Sequence, residues 1–497
     1  MRFRFILITL CTQVWVYAQD SLTVKLQEHL SPATSFTGYI KQNPAAILYA
    51  PDPDITEMGV NVSRDSGKAA ILQNGTRKDE LNFNVKTLQR LSNNRVWGNV
   101  LYRNGYKDDV RWNESADYHT IYPYVMNDTV GGDNLKFEEY SFSGGYVQHL
   151  DKWNLGLQLD YRALKEYRTV DPRPDNVSDD LYFKLGTTYR LTRFFLGADV
   201  YYRKYKQSNT VKFYSQIGSP MLYHDTGLGN NIYLFAGNHT EGTYDGNGYG
   251  VHLQLIPTQT GGFTSSLGYE NFSFEKRLLQ SLPISYIDEN KFNIDIAYTG
   301  GAGIYRGAKL SASYKDRRGT ENRFRSPQSG IYEKISSAEM YSHQFTSAKL
   351  SLIYGNKNKK NLSWFISPWV AWTSSTEKYK SPQREMRYSN VTEAVSGQLS
   401  INLNKILLTT EAGISFTQSL DSAFLYNELS EESYAYSILN RNYTYLSSAN
   451  TAAHLSLRGD YAISAGIGLF LKAYGSYGAY KNDLDNYRID FSAGIVF

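Results

Sequence analysis

The chain has 497 residues, with 52 Lys and Arg against 48 Asp and Glu, a formal charge of +4, a single Cys, 39 Gly, 13 Pro and 14% aromatic residues, 42 of them Tyr. So near a balance of charge argues against a nucleic-acid binder working by phosphate neutralisation. The aromatic load argues against disorder and the cysteine count against a disulfide scaffold, while the mean hydropathy of -0.46 is low for a chain so rich in rings.

Residues 1–18 read as a secretory signal. Arg2 and Arg4 precede the apolar run Phe5 to Leu10, and Val16 and Ala18 are small residues placed for cleavage before Gln19. The run is too short to span a bilayer, and Cys11 lies inside the signal. No later segment offers about 18 consecutive apolar residues, so no transmembrane helix is expected.

Residues 19–54 form a short segment, periplasmic or inside a barrel. Ser21 to Leu30 puts Leu22, Leu26 and Leu30 on one helical face, and Ser31-Pro32 ends it. Asn43-Pro44-Ala45-Ala46 reads as an Asn-Pro turn toward the first strand. The same four residues resemble a motif near the mature N-terminus of the long-chain fatty-acid transporter family. That resemblance implies a segment folded into the barrel as a hatch, with Asn43, Pro44 and Ala45 as hatch candidates, and a hydrophobic ligand route.

From residue 55 to 497 the hydropathy has period two, which puts apolar side chains on one face of each strand. Trp153, Leu155, Leu157, Leu159 and Tyr161 alternate with Asn154, Gly156, Gln158 and Asp160; Leu181, Phe183 and Leu185 alternate with Tyr182, Lys184 and Gly186. Short links such as Ser92-Asn93-Asn94, Leu150-Asp151-Lys152 and Asn404-Lys405 alternate with long ones: Lys107 to Asn134, Gln207 to Asp245, Asp316 to Ser342 and Asp421 to Ser448. An outer-membrane barrel has that asymmetry, with short periplasmic turns and long extracellular loops. The expected fold is therefore all-β, a transmembrane antiparallel β-barrel of about eighteen strands, or fourteen to sixteen if segments such as Thr56 to Arg64 and Phe194 to Lys206 lie outside the membrane.

The polar face of the strands supplies candidate lumen residues: Lys86, Arg103, Asp160, Arg162, Lys184, Arg190, Arg203, His252, Asp295, Lys309, Lys349, Glu411, Arg458, Lys472 and Arg488. In a watery lumen their excess of cations would favour anionic solutes. Alternatively, opposite charges such as Asp160 with Arg162, or Arg488 with Asp490, pair and fill the barrel.

The last strand alternates Tyr487, Ile489, Phe491, Ala493, Ile495 and Phe497 with Arg488, Asp490, Ser492, Gly494 and Val496. It resembles the C-terminal signal of outer-membrane barrels, with Tyr487, Ile489, Phe491 and Phe497 carrying the likeness. This implies recognition by the barrel-assembly machinery. The Tyr-rich profile as a whole resembles uncharacterised outer-membrane proteins of Bacteroidota.

The eight His include no i,i+4 pair with an intervening Glu, and no P-loop occurs. His454, near Ser456, reads as a polar lumen residue, so neither an enzyme nor a cofactor is expected. The expectation is an exported bacterial outer-membrane protein in contact with lipid and not with nucleic acid. It is a solute channel or transporter partly closed by its N-terminal segment. The alternative is a closed accessory barrel that binds an envelope protein or an extracellular ligand through its loops.

Overall fold

Alternating side chains suit a pleated strand with two unlike faces, and in the computed structural model the alternation closes on itself. The structure describes residues 22–497 except 216–219, 238, 260, 280, 302, 328–329 and 357–360, so the expected signal at 1–18 lies outside the described residues. The barrel strands are β1 (Ile55–Gly67), β2 (Arg77–Leu91), β3 (Asn94–Asp108), β4 (Leu135–Leu150), β5 (Trp153–Tyr167) and β6 (Arg173–Arg190). Then come β7 (Phe194–Lys212), β8 (Glu241–Pro257), β9 (Gly262–Leu278), β10 (Leu282–Gly300), β11 (Ile304–Phe324) and β12 (Lys334–Asn356). The last six are β13 (Leu362–Tyr379), β14 (Arg384–Leu403), β15 (Ile406–Tyr426), β16 (Asn450–Ala462), β17 (Gly468–Tyr480) and β18 (Asp485–Val496). Each pairs antiparallel with its neighbours in the chain, and β1 pairs with β18 from Glu57↔Val496 to Gly67↔Asn486, which leaves no open edge.

The faces are inside out. Leu155, Leu157 and Leu159 are about half exposed, while Asn154 beside them is 1% exposed. An apolar exterior on a closed barrel satisfies every backbone group without water, which is the condition for crossing lipid with strands. The protein is a β-barrel of the bacterial outer membrane.

Tight hairpins end the periplasmic side. Ser92, Asp151 and Asn404 open two-residue turns at φ 57, 51 and 64, a conformation that Asn, Asp and Ser accept more readily than branched residues do.

The extracellular side departs from expectation in two places. Much of Asp316 to Ser342 is strand, because β11 and β12, of 21 and 23 residues, continue as a ribbon past the apolar band. Likewise β15 runs on to Tyr426, and the rest of Asp421 to Ser448 contains the helix Tyr434–Leu446. Ladder pairing needs no apolar face once the ribbon stands in water, so hydropathy alone misplaces these strand ends. Thr56 to Arg64 and Phe194 to Lys206 both lie in barrel strands.

One outward side chain breaks the apolar band. Glu393 pairs across to Val370 and Phe416, both of which face outward, and is itself exposed. A carboxylate on the lipid face costs energy in a depth-dependent way. Glu393→Leu is expected to raise the unfolding free energy in vesicles by about 1 kcal/mol, read from the urea midpoint.

Candidate functional site

The lumen is the candidate site, and separate parts of the chain fold into its two ends. At the periplasmic end, α1 (Leu22–His29), α2 (Pro32–Phe36) and the 3-10 turns Gly38–Gln42 and Pro44–Tyr49 run round the inside of the wall as a collar. Its contacts pass the strands in order. Leu22 and Leu26 bury against Leu407, Phe470 and Val496, and Gln27 bonds Ser363 at 3.0 Å. Phe36 packs on Tyr305, Ile353 and Phe365, while Gln254 donates to Tyr39 O at 3.3 Å. Asn43 then reaches β6 and β7, and Arg95 on β3 donates to the carbonyls of Ile47 (3.0 Å), Ala50 (3.0 Å) and Asp52 (2.6 Å). Across the ring, the Asp52 carboxylate takes Lys41 Nζ at 2.6 Å and lies 3.9 Å from His29 Nδ1.

The Asn43-Pro44-Ala45-Ala46 motif has a specific seat. Asn43, fully buried, caps the turn by accepting from Ala45 N at 2.9 Å and donates from Nδ2 to Thr187 O (3.1 Å) and Ala198 O (3.3 Å). Pro44 starts the turn, where its missing N–H is harmless. Ala45 lies against Gly156, where a Cβ would stand 2.3 Å from Ala45 N; one at Gly186 would stand 2.1 Å from Asn43 Oδ1. Gly156 and Gly186 are paired across β5 and β6, so two absent side chains make one recess.

At the extracellular end, loop 109–134, residues 220–237 and the helix Tyr434–Leu446 fold inward as a lid. Ile121, Tyr124, Val125, Leu228 and Leu439 pack with wall residues Tyr205, Tyr244, Phe272, Phe274 and Tyr341. A buried loop without a ladder needs partners for its carbonyls, and wall side chains supply them. Tyr244 OH donates to Tyr124 O at 2.5 Å, Lys276 Nζ to Val125 O at 2.9 Å, Arg317 Nη1 to Tyr122 O at 2.6 Å and Arg384 Nη1 to Leu228 O at 2.8 Å. Glu114 meets Arg168 at 3.2 Å with both side chains buried. Burial pushes the Glu114 carboxyl up to about 8, against the pull of Arg168.

The two lid loops share a three-stranded sheet of Met126–Asn127, Tyr223–Gly227 and Asn230–Asn231. Burial pushes the Asp225 carboxyl up to about 7 from an ordinary 3.8, against the Lys276 ammonium. It also holds the His224 imidazole well below 6.5, where the ring bonds His239 O at 2.9 Å.

The signs oppose. The stability contributed by protonated Asp225 is full below pH 3.8 and is lost as pH rises toward 7. The contribution of neutral His224 is present above 6.5 and is lost as pH falls. Asp225→Asn should therefore leave a lid that acid alone loosens, and His224→Gln one that loosens as pH rises. Protease cleavage within loop 213–240, followed against pH, reads both.

Most of the fifteen lumen candidates have partners on other strands or on the inserted segments. Arg103 pairs with Glu139 at 2.5 Å, Arg203 with Asp180 at 2.8 Å, Arg458 with Glu57 and Asp460 at 2.8 and 2.9 Å, and Arg488 with Asp490 at 2.8 Å. The expected pairing of Asp160 with Arg162 does not form. Asp117, carried in by the lid loop, takes Arg162 at 2.6 Å, and Asp160 accepts from Gln158 at 2.8 Å and from Ser143. His252 stands between two carboxylates, with Asp199 at 2.8 Å from Nδ1 and Glu270 at 3.8 Å from Nε2. Asp295 accepts from Ser311 at 2.5 Å, and Glu411 lies 3.6 Å from His454.

The lysines are placed differently. Lys184 donates to Gln42 O at 3.1 Å and Lys309 to Phe36 O at 3.2 Å, both on the collar; Lys349 stands 3.9 Å over the Trp369 ring. Lys86 and Lys472 are exposed to the lumen, and Arg190 is exposed at the periplasmic rim. Tyr487, Ile489, Phe491 and Phe497 face outward.

Sequence reasoning missed Arg95, Arg317, Arg384 and Lys276, which anchor collar and lid through backbone carbonyls. Such partners leave no mark in the side-chain pattern. The paired Gly156 and Gly186 could have been found, since both interrupt the polar register of neighbouring strands.

Among solved structures the chain is similar to the ferric citrate transporter FecA (8% identity, TM-score 0.41, covering 89% of this chain and 78% of that one). It is also similar to the siderophore receptor PiuA from Acinetobacter baumannii (8%, 0.40, 89% and 82%) and the Pseudomonas putida toluene transporter TodX (12%, 0.31, 92% and 92%). Likenesses this slight do not bear on ligand or mechanism. No curated protein sequence matches the chain. Residues 44–497, the motif from Pro44 onward together with the whole barrel, match the family of unknown function DUF6850, and the chain belongs to that family.

Proposed function

We propose that the protein is a gated outer-membrane transporter whose collar and lid close the two ends of one solute path. The observation that carries this is the contrast between the ends and the middle. Inserted segments held through side-chain bonds occupy both ends, whereas Lys86 and Lys472 between them point inward and remain exposed. A barrel meant only as a pillar would gain by filling that space. The collar plays the part of a hatch, in line with the motif resemblance of Asn43 to Ala46. The outward aromatics of β18 serve assembly.

Proteoliposome swelling in glucose tests the transport reading. Asp52→Ala, which frees Lys41 and His29 from each other, is expected to raise the swelling rate several-fold over wild type. Equal rates in the two would count against the collar as a gate.

A second reading has its own support. Tyr214, Tyr233 and Ile331, on the extracellular loops, are 63, 87 and 73% exposed. Exposed large apolar side chains of this kind favour a loop surface that contacts an envelope protein or extracellular ligand.

A further inference from the structure

One stretch of lumen wall keeps an excess of cations: four basic side chains, Lys86, Arg458, Lys472 and Arg488, stand there against the carboxylates Glu57 and Asp490. It borders a cavity of about 490 Å³ whose lining includes Asn61, Asn82, Asn84, Lys86, Lys472 and Ser492, Tyr474 and Phe470, and the carboxylates Glu57 and Asp490. Arg458 and Arg488 also reach it, but Arg458 is held by Glu57 and Asp460, and Arg488 by Asp490. Neither Lys86 nor Lys472 has a carboxylate within ion-pair distance among the described residues. Both side chains are exposed although they point into the barrel.

The register explains the arrangement. Lys86 is opposite Glu57 on β1, and Lys472 is opposite Ser492 on β18, so the two lysines flank the strands where the barrel closes and reach one space from opposite sides. Between them Asn82 Nδ2 donates to Asn61 Oδ1 at 3.0 Å, and Asn61 Nδ2 donates to Ser492 Oγ at 2.8 Å. These bonds fix an amide and hydroxyl row along the cavity wall.

Ammonium groups bind carboxylate, phosphate or sulfate as point charges, without the planar fork that guanidinium offers. Amide and hydroxyl groups in a fixed row match the hydroxyls of a polyol, which both donate and accept. The cavity volume falls within the range of small-molecule sites, about 300–1,000 Å³.

We propose that this cavity binds an anionic sugar or a related polyol acid, with Lys86 and Lys472 on its acidic group and the Asn61, Asn82 and Ser492 row on its hydroxyls. Access to the site, though not the site itself, rests on the gated-transporter reading.

Isothermal titration calorimetry of the full chain in nanodiscs tests this, with glucuronate, glucose 6-phosphate, inorganic phosphate and glucose as probes. It is run on wild type and on Asp52→Ala, so that a shut collar does not hide the site. Both sugar acids should bind, more weakly as salt rises, and glucose about ten-fold or more weaker. Lys86→Gln with Lys472→Gln should weaken acid binding by about ten-fold or more while the circular-dichroism melt stays unchanged. Glucose binding as tightly as the acids, or full affinity in the double variant, would overturn the assignment of the lysines. Inorganic phosphate matching glucose 6-phosphate would overturn the polyol part. No binding in either background would overturn the site. Binding by a barrel that never passes solute would sink the transport reading and leave the site standing; solute passage without binding would do the reverse.

Discussion

A chain lacking residues 22–52 and carrying a short Gly-Ser link in place of 112–130 is expected to conduct steadily in a planar bilayer, where wild type stays shut or opens only briefly. The two closures act in series, so the narrower one limits the current. Removing the collar alone leaves Tyr124 and Val125 packed across the mouth, and removing the loop alone leaves the Asp52 tie at the other end. Each single change should therefore give a small part of the current of the double change. The wall should survive both, because its eighteen strands are bonded to one another through the β1 and β18 seam and not through either insert. A double variant that folds with its full strand content and remains shut would show that wall side chains or the remaining lid segments, around Leu228 and Leu439, close the lumen, and gating by the collar and this loop would fail.

Gly156→Val with Gly186→Val is expected to expel the Asn43 to Ala46 turn from its seat. Added Cβ atoms would stand 2.3 Å from Ala45 N and 2.1 Å from Asn43 Oδ1. Neither strand can withdraw, since β5 and β6 are each paired on both sides. The collar must yield, and Asn43 then loses its bonds to Thr187 O and Ala198 O. Trypsin cleavage after Lys41 should accelerate by about ten-fold or more, which corresponds to at least 1.4 kcal/mol of lost docking.

Two comparisons grade the effect. Asn43→Ala should cost about 1–3 kcal/mol of docking, because it removes the cap and leaves the two wall carbonyls without their donor. Gly197→Ala should be mild, since the nearest atom to its Cβ, at 3.0 Å, is the Asn43 amide nitrogen. Unchanged cleavage in the double Val variant would mean that the collar is held elsewhere, with Arg95 the first anchor to test.

What could be read from the chain was whatever repeats locally. Period two along β5 or β17 places each side chain on one face or the other whatever its neighbours do, so the barrel and its approximate strand number follow from sequence. So does the pairing of Arg488 with Asp490, two residues apart on one face. The tertiary structure decided what depends on residues far apart in the chain. Asp117 displaces Asp160 as the partner of Arg162 because a lid loop folds back into the barrel. Asn43 matters because Gly156 and Gly186 come opposite one another in register. Lys86 and Lys472 share a cavity only because β1 closes on β18. A strand's faces are set by its own pleat, whereas register, loop return and charge pairing are set by closure of the whole sheet.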